Sequence, residues 1–439
     1  YQFMFVKMKQ YVKQYKDDML TIENNLLQIF EESEEEEFEC INNFFKKNNE
    51  QKIHENLEKL EVLLRMLVVI ANNHHRCSFF FKKLEKILLT IKNAMKSHFS
   101  NRKIIDIFKS NKRILLFLIE EKIIIIDEYF ISKISKTKYR NLKYIEYFAP
   151  EIKLFYVTHQ KINLPENLPD NFDQNRQKGE NESFLCELIR NDSIVDFVIY
   201  VNKNNLFLDI QINSSIYETN SMLINKKPTL IEYAAFFGSI QIFQYLLLNK
   251  VEPTASLMQY AIHSKNGELI HLLEEKVKID PNECFVESIK CHHNGIATYI
   301  KDNFLESVKE CVDIIIGDTI KTKIPIAFIY YNFEFFPLEL ESIEYPFSFM
   351  YKYKYIEFLK RYLGEYNIDM NKFLINIDDY EILEDMNDFI YRYGYNNYLV
   401  KNKHTSQICL MQVLECGYEY GAEYFEKSIQ FNYPCILKS

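Results

Sequence analysis

Glycine and proline are scarce in this chain: nine Gly and ten Pro make up 19 of its 439 residues. An ordinary globular protein carries about 12% of the two residues together. The scarcity leaves few residues for tight turns and hairpins, which excludes collagen-like, glycine-rich and many-turned all-β architectures. The first proline is Pro150 and the first glycine is Gly179. Only polar loops therefore interrupt helix in the first third of the chain.

Long apolar runs are also missing. The longest, at 114–119 and 123–126, are separated by three charged residues and fall well short of the roughly 20 residues that span a bilayer. We expect no transmembrane helix. The sequence also lacks the glycine-rich phosphate-binding loops, the serine-hydrolase elbow and the H-E-x-x-H zinc motif. It therefore predicts no cofactor and no bound metal.

The net charge of −9 is concentrated in one place. The run at 31–39 (EESEEEEFE) holds seven carboxylates, which leaves −2 for the rest of the chain. A broad nucleic-acid-binding face is not expected, because it needs clustered Lys and Arg. Like charges repel, so the run is interpreted as a mobile loop rather than as a partner-binding segment. Nine scattered cysteines indicate a reducing, cytoplasmic location.

Apolar residues at steps of three and four predict an array of amphipathic helices in the first part of the chain. One helix carries Leu57, Leu60, Leu64, Leu67 and Ala71, and the next runs from Phe80 to Met95 with Ser78 as its N-cap. The polar stretch 164–182 contains two prolines and the first glycine, and it has no apolar period. It predicts a domain boundary.

The second half of the chain contains an internal repeat. Segments 229–247, 256–274 and 283–301 align without gaps at a constant spacing of 27 residues. A small residue recurs at one position, occupied by Ala234, Ala261 and Ser288. Apolar residues recur at the helix-forming positions that follow. The pattern predicts helix pairs that share one elongated core, because small residues let helices approach closely.

These residues resemble ankyrin repeats. TLIEYA and SLMQYA are similar to the ankyrin opening T-P-L-H-x-A, GSIQIFQYLL resembles the second helix, and 355–371 resembles a second helix with its following loop. The order of segments from 183 onwards is similar to a divergent ankyrin-type family of parasitic protists that carries a domain of unknown function. The resemblance is close over 183–305, partial over 306–439, and only compositional before 150.

The resemblance implies an all-α fold: a helical repeat solenoid of degenerate ankyrin-type helix pairs, preceded by an N-terminal helical array. We expect four parts, namely an N-terminal helical region at 1–160, a polar linker at 161–182, ankyrin-like repeats at 183–305 and degenerate repeats at 306–439. The period is 27 residues rather than about 33, so the β-fingers should be short or absent. Leu230 and Glu232 replace the usual Pro and His.

In such a stack the first helices form a concave wall that binds partners. The register predicts that this wall exposes six protein-binding side chains: Phe236, Phe237, His263, Ser264, Lys290 and Cys291. An equally open alternative buries one of the two phenylalanines against the second helix. The group Cys284, Cys291, His292 and His293 lacks zinc-ligand spacing and is interpreted as core and turn residues.

The favoured function is a non-catalytic scaffold that binds protein partners through the concave face, with no nucleic acid and no membrane span. The alternative is an enzyme or regulatory subunit with its chemistry in the N-terminal helical region and the repeats as a docking arm. A third hypothesis is attachment to a membrane or to the cytoskeleton through the aromatic segment 324–338. The sequence predicts neither the partner nor the oligomeric state.

Overall fold

The computed structural model describes residues 2–31, 57–74, 79–136, 139, 143–155, 164–165, 167–305, 313–315 and 323–335. Most of the run at 31–39 and most of the predicted degenerate repeats at 306–439 lie outside these residues. The chain divides into two compact units. One unit comprises 1–16, 313–329 and 337–439, and the other comprises 17–312 and 330–336.

The described part of the first unit is small. It holds the start of α1 (Gln2–Glu31) and two short strands, β1 (Asp313–Ile315) and β2 (Lys323–Pro325), which pair antiparallel with Ile314 opposite Ile324. A short helix at Ile326–Tyr330 follows β2 directly. The aromatic segment 324–338 thus begins as a strand and continues as a helix in its described part.

The second unit begins with a helical array. After α1 come α2 (Leu57–Asn73), α3 (Phe80–Thr90), α4 (Lys92–His98), α5 (Asn101–Phe108), α6 (Lys112–Glu120), α7 (Glu128–Ile134), α8 (Tyr144–Tyr147) and α9 (Ala149–Phe155). The predicted stripe is buried, with Leu60, Leu64, Leu67 and Ala71 fully inside. The side chains of Ser100, Asn111 and Asp127 cap α5, α6 and α7.

The predicted helix from Phe80 to Met95 differs in two respects. Ile91 interrupts it between α3 and α4, with φ −95° and ψ 5°. The N-cap of α3 is Phe79, which adopts a left-handed conformation, rather than Ser78. The apolar period continues across the interruption, since Ile87, Ile91 and Met95 are all fully buried. The apolar period therefore predicted which face of the helices is buried, but not where the helices begin and end.

The predicted polar linker contains α10 (Phe172–Lys178), whose Phe172 and Arg176 are buried. The Arg176 guanidinium donates to the Tyr147 carbonyl at 3.2 Å and to Glu151 at 2.8 Å, and the Tyr147 hydroxyl donates to the Arg176 carbonyl at 3.1 Å. This stretch is thus anchored to the helical array. The boundaries of the four predicted parts stay predictions.

Four helix hairpins follow. They are α11 (Phe184–Arg190) with α12 (Ile194–Lys203), α14 (Leu230–Phe237) with α15 (Ile240–Leu248), α16 (Leu257–His263) with α17 (Gly267–Glu274), and α18 (Pro281–Lys290) with α19 (Asn294–Phe304). The short α13 (Ser221–Asn225) precedes the second hairpin and packs on α2. Each first helix packs on the first helix of the next hairpin. The helix at Ile326–Tyr330 is α20.

The turns of the four hairpins are built alike. Each has one residue with positive φ, namely Asp192 (47°), Gly238 (69°), Lys265 (56°) and His292 (57°). The amide of each donates to the carbonyl three residues earlier, at Ile189, Ala235, Ile262 and Ile289, over 2.9 to 3.2 Å. Gly238 suits this conformation best, because it has no Cβ to clash with the following carbonyl.

The all-α class is confirmed for the described part of the chain, where the strands are two pieces of three residues. The three aligned segments form helix pairs in the predicted register. The recurring small residues Ala234, Ala261 and Ser288 are fully buried, and the first helices that carry them pack on one another.

Candidate functional site

The six predicted wall residues lie next to one another at the ends of three first helices. The rings of Phe236 and His263 stack with centroids 4.6 Å apart, and Phe237 contacts Phe236 at 4.9 Å. The Cys291 Sγ lies 3.5 Å from both nitrogens of His263. The sequence register thus identified neighbours in space, although they come from hairpins 27 residues apart.

The expectation that these six side chains are exposed is wrong for four of them. Phe236 is 7% exposed, His263 is 1% exposed, and Ser264 and Cys291 are also buried. Phe237 and Lys290 are half-buried. Of the two phenylalanines, Phe236 is the buried one, as the alternative interpretation predicted. A partner could not reach most of this wall without first moving something away from it.

The end of α2 covers the wall. The Nδ1 of His74, the residue that follows α2, donates to the carbonyl of Cys291 at 2.6 Å. The rings of His74 and His293 meet edge to face at 4.9 Å. The wall is therefore one side of an internal interface, which we call the wall junction: His74, His263, Glu287, Lys290 and Cys291.

Helix α1 extends the cover at a fully buried pair, Glu23 and His292. The Nδ1 of His292 lies 2.7 Å from one oxygen of Glu23, and its Nε2 lies 2.9 Å from the carbonyl of Tyr330. The other oxygen of Glu23 accepts the amide of Phe333 at 2.6 Å. The imidazole ring is thereby held between α1 and the backbone of Tyr330.

Glu287 is the electrostatic centre of the wall junction. One of its oxygens lies 2.7 Å from the Nε2 of His263 and 2.9 Å from the ammonium of Lys290. Burial acts to raise the pKa of Glu287, but the hydrogen bond to His263 and the charge of Lys290 outweigh it and lower that pKa to about 2. Burial also lowers the pKa of His263, against the attraction of Glu287.

At the rim of the covered wall, Glu31 pairs with Lys265 and lies 3.6 Å from the Nε2 of His74. The hydrogen bond from His74 and the charge of Lys265 outweigh partial burial and lower the pKa of Glu31 to about 2. Unlike Glu287, this carboxylate is largely accessible to water. Its ion pair is therefore worth less.

Cys291, His263 and Glu287 are the residue types of a cysteine nucleophile with its base and orienting acid. Burial raises the pKa of the Cys291 thiol well above its ordinary value, whereas a nucleophile needs a thiolate. The side chains of Cys291 and His263 are sealed from solvent. A substrate has no access to this thiol in the folded protein.

The same three residues are also candidate metal ligands, because their potential ligand atoms all lie within 4.8 Å of one another. The equal 3.5 Å distances from Sγ to both nitrogens of His263 place the sulfur over the ring face. A metal bound in the ring plane could not also reach it. Lys290 already neutralises the carboxylate. The residues present therefore do not fit a zinc site, and the cluster acts as a structural junction.

Sequence reasoning missed Glu287, Glu23 and His74. Glu287 had a signal, because it stands in the aligned position of Tyr233 and Tyr260, where a lone carboxylate breaks a column of aromatic residues. Glu23 and His74 had none. They contact residues more than 200 positions away in the chain.

A cleft of about 710 Å³ opens beside the junction. Its walls come from α1, at Asn24, Leu27 and Glu31, and from the starts of α17 and α19, at Gly267 and Gly295. The ionic groups that line it are already paired, as Glu31 with Lys265 and His292 with Glu23. These two pairs therefore leave neither Glu31 nor His292 as a charge that a ligand would have to neutralise.

None of the helices in the described parts of the chain is long and apolar enough to cross a membrane. Comparison with protein-family models, with curated proteins and with solved structures finds no match to this chain.

Proposed function

We propose that this chain is a non-catalytic protein-interaction scaffold, built on an ankyrin-type stack of helix hairpins whose inner wall is filled by its own N-terminal helices. A bond that recurs between successive hairpins supports the stack. The Oγ of Ser239 donates to the carbonyl of Ile189 at 2.5 Å, and the Nδ1 of His293 donates to that of Ile262 at 2.8 Å. Each donor follows the left-handed turn residue, and both carbonyls occupy the same repeat position.

We infer that the repeat continues beyond 305. The same two features recur there: a turn residue with positive φ, and a following side chain that donates to a carbonyl of the preceding hairpin. Tyr331 has a positive φ of 54°, and the side-chain Nδ2 of the next residue, Asn332, donates to the carbonyl of Ile289 at 3.1 Å. In the sequence IAFIYYN, Ala327 falls where Ala234, Ala261 and Ser288 stand. We infer that 326–332 is the first helix and turn of a further hairpin, delayed by an insertion.

The stack favours binding over chemistry. Successive hairpins pack on one another, so that a stack of several presents a long continuous surface on one support. The cysteine, histidine and carboxylate that come together are sealed inside the wall junction. What a partner meets is the outer face of the second helices and the ends of the stack.

A direct test separates a scaffold from an enzyme. Partners of the full chain are captured by chemical crosslinking in an extract of its source cells, purified, and titrated against the chain by calorimetry. We expect saturable, stoichiometric binding and a partner whose mass is unchanged after incubation. A partner that the chain alters covalently and repeatedly would replace this proposal with the enzyme hypothesis.

A matched pair of variants asks whether binding depends on the stack. Ala261→Leu places extra volume where two first helices meet, whereas Gln244→Leu introduces the same leucine side chain on the exposed face of α15. We expect the affinity to fall for the first variant and to stay unchanged for the second. Equal affinities for both variants would contradict a binding surface built by the stack.

A further inference from the structure

The first hairpin exposes side chains that the other three bury. Two aligned positions are concerned: one near the start of the first helix of each hairpin, and one near the end of the second helix. In the later hairpins they are Leu230 with Leu246, Leu257 with Leu273, and Cys284 with Ile300, none more than 4% exposed. In the first hairpin they are Phe184, which is 53% exposed, and Tyr200, which is half-buried. Their rings contact each other at 5.3 Å.

Helix α12 continues this apolar surface. Val195 and Ile199, one turn apart, are 69% and 58% exposed. The position of Val195 is polar or small in the later hairpins, where it is held by Gln241, Glu268 and Gly295. We call Phe184, Val195, Ile199 and Tyr200 the end face.

The later hairpins show what normally covers the position of Ile199. In the second hairpin its equivalent, Tyr245, packs against Phe197 of the preceding hairpin with ring centroids 6.1 Å apart. In the fourth hairpin Tyr299 packs on His271 of the preceding hairpin at 5.3 Å. At both places a helix of the preceding hairpin supplies the contact. The end face is therefore the continuation of an interface already formed inside the stack.

We propose that the end face binds an amphipathic α-helix of a partner protein, which takes the place of a preceding hairpin. This proposal rests on the proposed function and names the surface and the kind of partner. The helix needs an apolar stripe at i, i+3 or i+4, and i+7 to cover Phe184 and Ile199. Glu187 and Asp196 are exposed carboxylates beside these residues. Lysine or arginine on the flanks of the partner helix would complement them.

The test selects partner helices without assuming their sequence. A phage library of randomised 18-residue helical peptides is panned on the full chain, and enriched peptides are synthesised with a fluorescent label. We expect the enriched sequences to share the apolar stripe with basic flanks. A library that yields no enriched peptide, or one without this pattern, overturns the proposal.

The affinity of an enriched peptide is then measured by fluorescence anisotropy for the full chain and its variants. Ile199→Glu should weaken binding at least about tenfold. Gln244→Glu, which introduces the same charge at an exposed position of the second hairpin, should leave it within about twofold. Val195→Glu gives a second reading at the end face. The three replaced residues are exposed, so the fold should persist, as circular dichroism will verify. Equal affinities for Ile199→Glu and Gln244→Glu overturn the proposal.

Two further outcomes would assign the end face to another occupant and also overturn it. A dimer of the full chain that Ile199→Glu dissociates would show that a second copy covers it. Slow thiol labelling of Val195→Cys in the monomeric chain would show that the chain covers it itself. If a partner found by crosslinking binds Ile199→Glu as tightly as the unaltered chain, the scaffold function stands and only this surface is wrong.

Discussion

The first and the fourth hairpins have the same design but opposite surroundings. The fourth hairpin has its turn against α1 and α2, where His292 is fully buried with Glu23 and the carbonyl of Cys291 accepts from His74. In the first hairpin the turn residue, Asp192, accepts the amides of Gln241 and Ile242 at 3.0 Å, at the start of α15 in the next hairpin. The repeat fixes the helices and the turn. The elements outside the repeat decide which surface is left for a partner.

This difference separates two sources of stability. The contacts between hairpins come from the repeat and recur every 27 residues, as in the small buried residues Ala261 and Ser288. The contacts that close the wall do not repeat, and they join ionisable side chains, as in Glu23 with His292 and Glu31 with Lys265. Substitutions in the two sets should therefore differ in size and in their response to pH.

The largest effect is expected at the buried pair. Glu23→Ala removes the acceptor of both His292 and the amide of Phe333. The buried imidazole and the buried backbone amide are then left without an acceptor, which costs about 1 to 3 kcal/mol for each group. Urea unfolding should show this loss, while Asn24→Ala at the exposed neighbouring position should stay within about 0.5 kcal/mol. A loss below about 1 kcal/mol for Glu23→Ala would mean that α1 does not close the wall.

The covered wall gives the next largest effect. Phe236→Ala removes a ring that is stacked on His263 and almost fully buried. Truncation of a buried phenylalanine costs about 3 kcal/mol or more. Phe237→Ala, at the half-buried neighbour, should cost clearly less in the same thermal or urea unfolding experiment. If both variants lost the same small free energy of unfolding, the wall would be exposed, as the sequence predicted.

The stack itself is tested by overpacking. Ala261 is fully buried between first helices that pack on each other, so Ala261→Leu should destabilise by about 1 to 3 kcal/mol. Gln244→Leu on the exposed face of α15 is the matched control, expected within about 0.5 kcal/mol. If Ala261→Leu proves neutral in urea unfolding, the small residue is not needed for close helix approach.

The sequence predicted what local pattern and repetition determine. The stripe from Leu60 to Ala71 fixed a buried helix face, and the alignment of Phe236 with His263 identified neighbours in space. Exposure could not be predicted, because it depends on α1 and α2, which lie about 200 residues earlier in the chain. No period links Glu23 to His292. The acidic position Glu287 was visible as a departure from its aligned tyrosines, but its role required knowing that Lys290 and His263 share one of its oxygens.

A smaller effect is expected at the turns. Gly238 has φ 69°, and a Cβ there would lie 3.3 Å from the Cβ of Ser264. Gly238→Ala should therefore destabilise by about 1 kcal/mol, because a left-handed conformation disfavours residues with a Cβ. Lys265→Gly, at the equivalent turn of the third hairpin with φ 56°, should not destabilise through backbone strain. Lys265→Gly is compared with Lys265→Gln in thermal unfolding, because both variants lose the pair with Glu31. A Gly238→Ala variant that loses no stability would contradict a strained left-handed turn.

The smallest expected effect lies at the rim of the closed wall and is the most sensitive to pH. The pKa of Glu31 is lowered from 4.5 to about 2 by His74 and Lys265. A carboxylate with a lowered pKa stabilises the folded state fully above its unfolded pKa, and this contribution is lost as the pH falls towards the folded pKa. Because Glu31 is accessible to water, its pairing should be worth less than about 1 kcal/mol.

A double-mutant cycle with Glu31→Gln, Lys265→Gln and both together isolates this pairing from other effects of acid. The coupling energy from urea unfolding should be favourable at pH 6 and smaller at pH 3, and added salt should weaken it at pH 6. A coupling that is absent at pH 6, or that grows as the pH falls, would contradict an ion pair between α1 and the turn of the third hairpin. The closed wall would then depend on the buried pair of Glu23 and His292 without help from its rim.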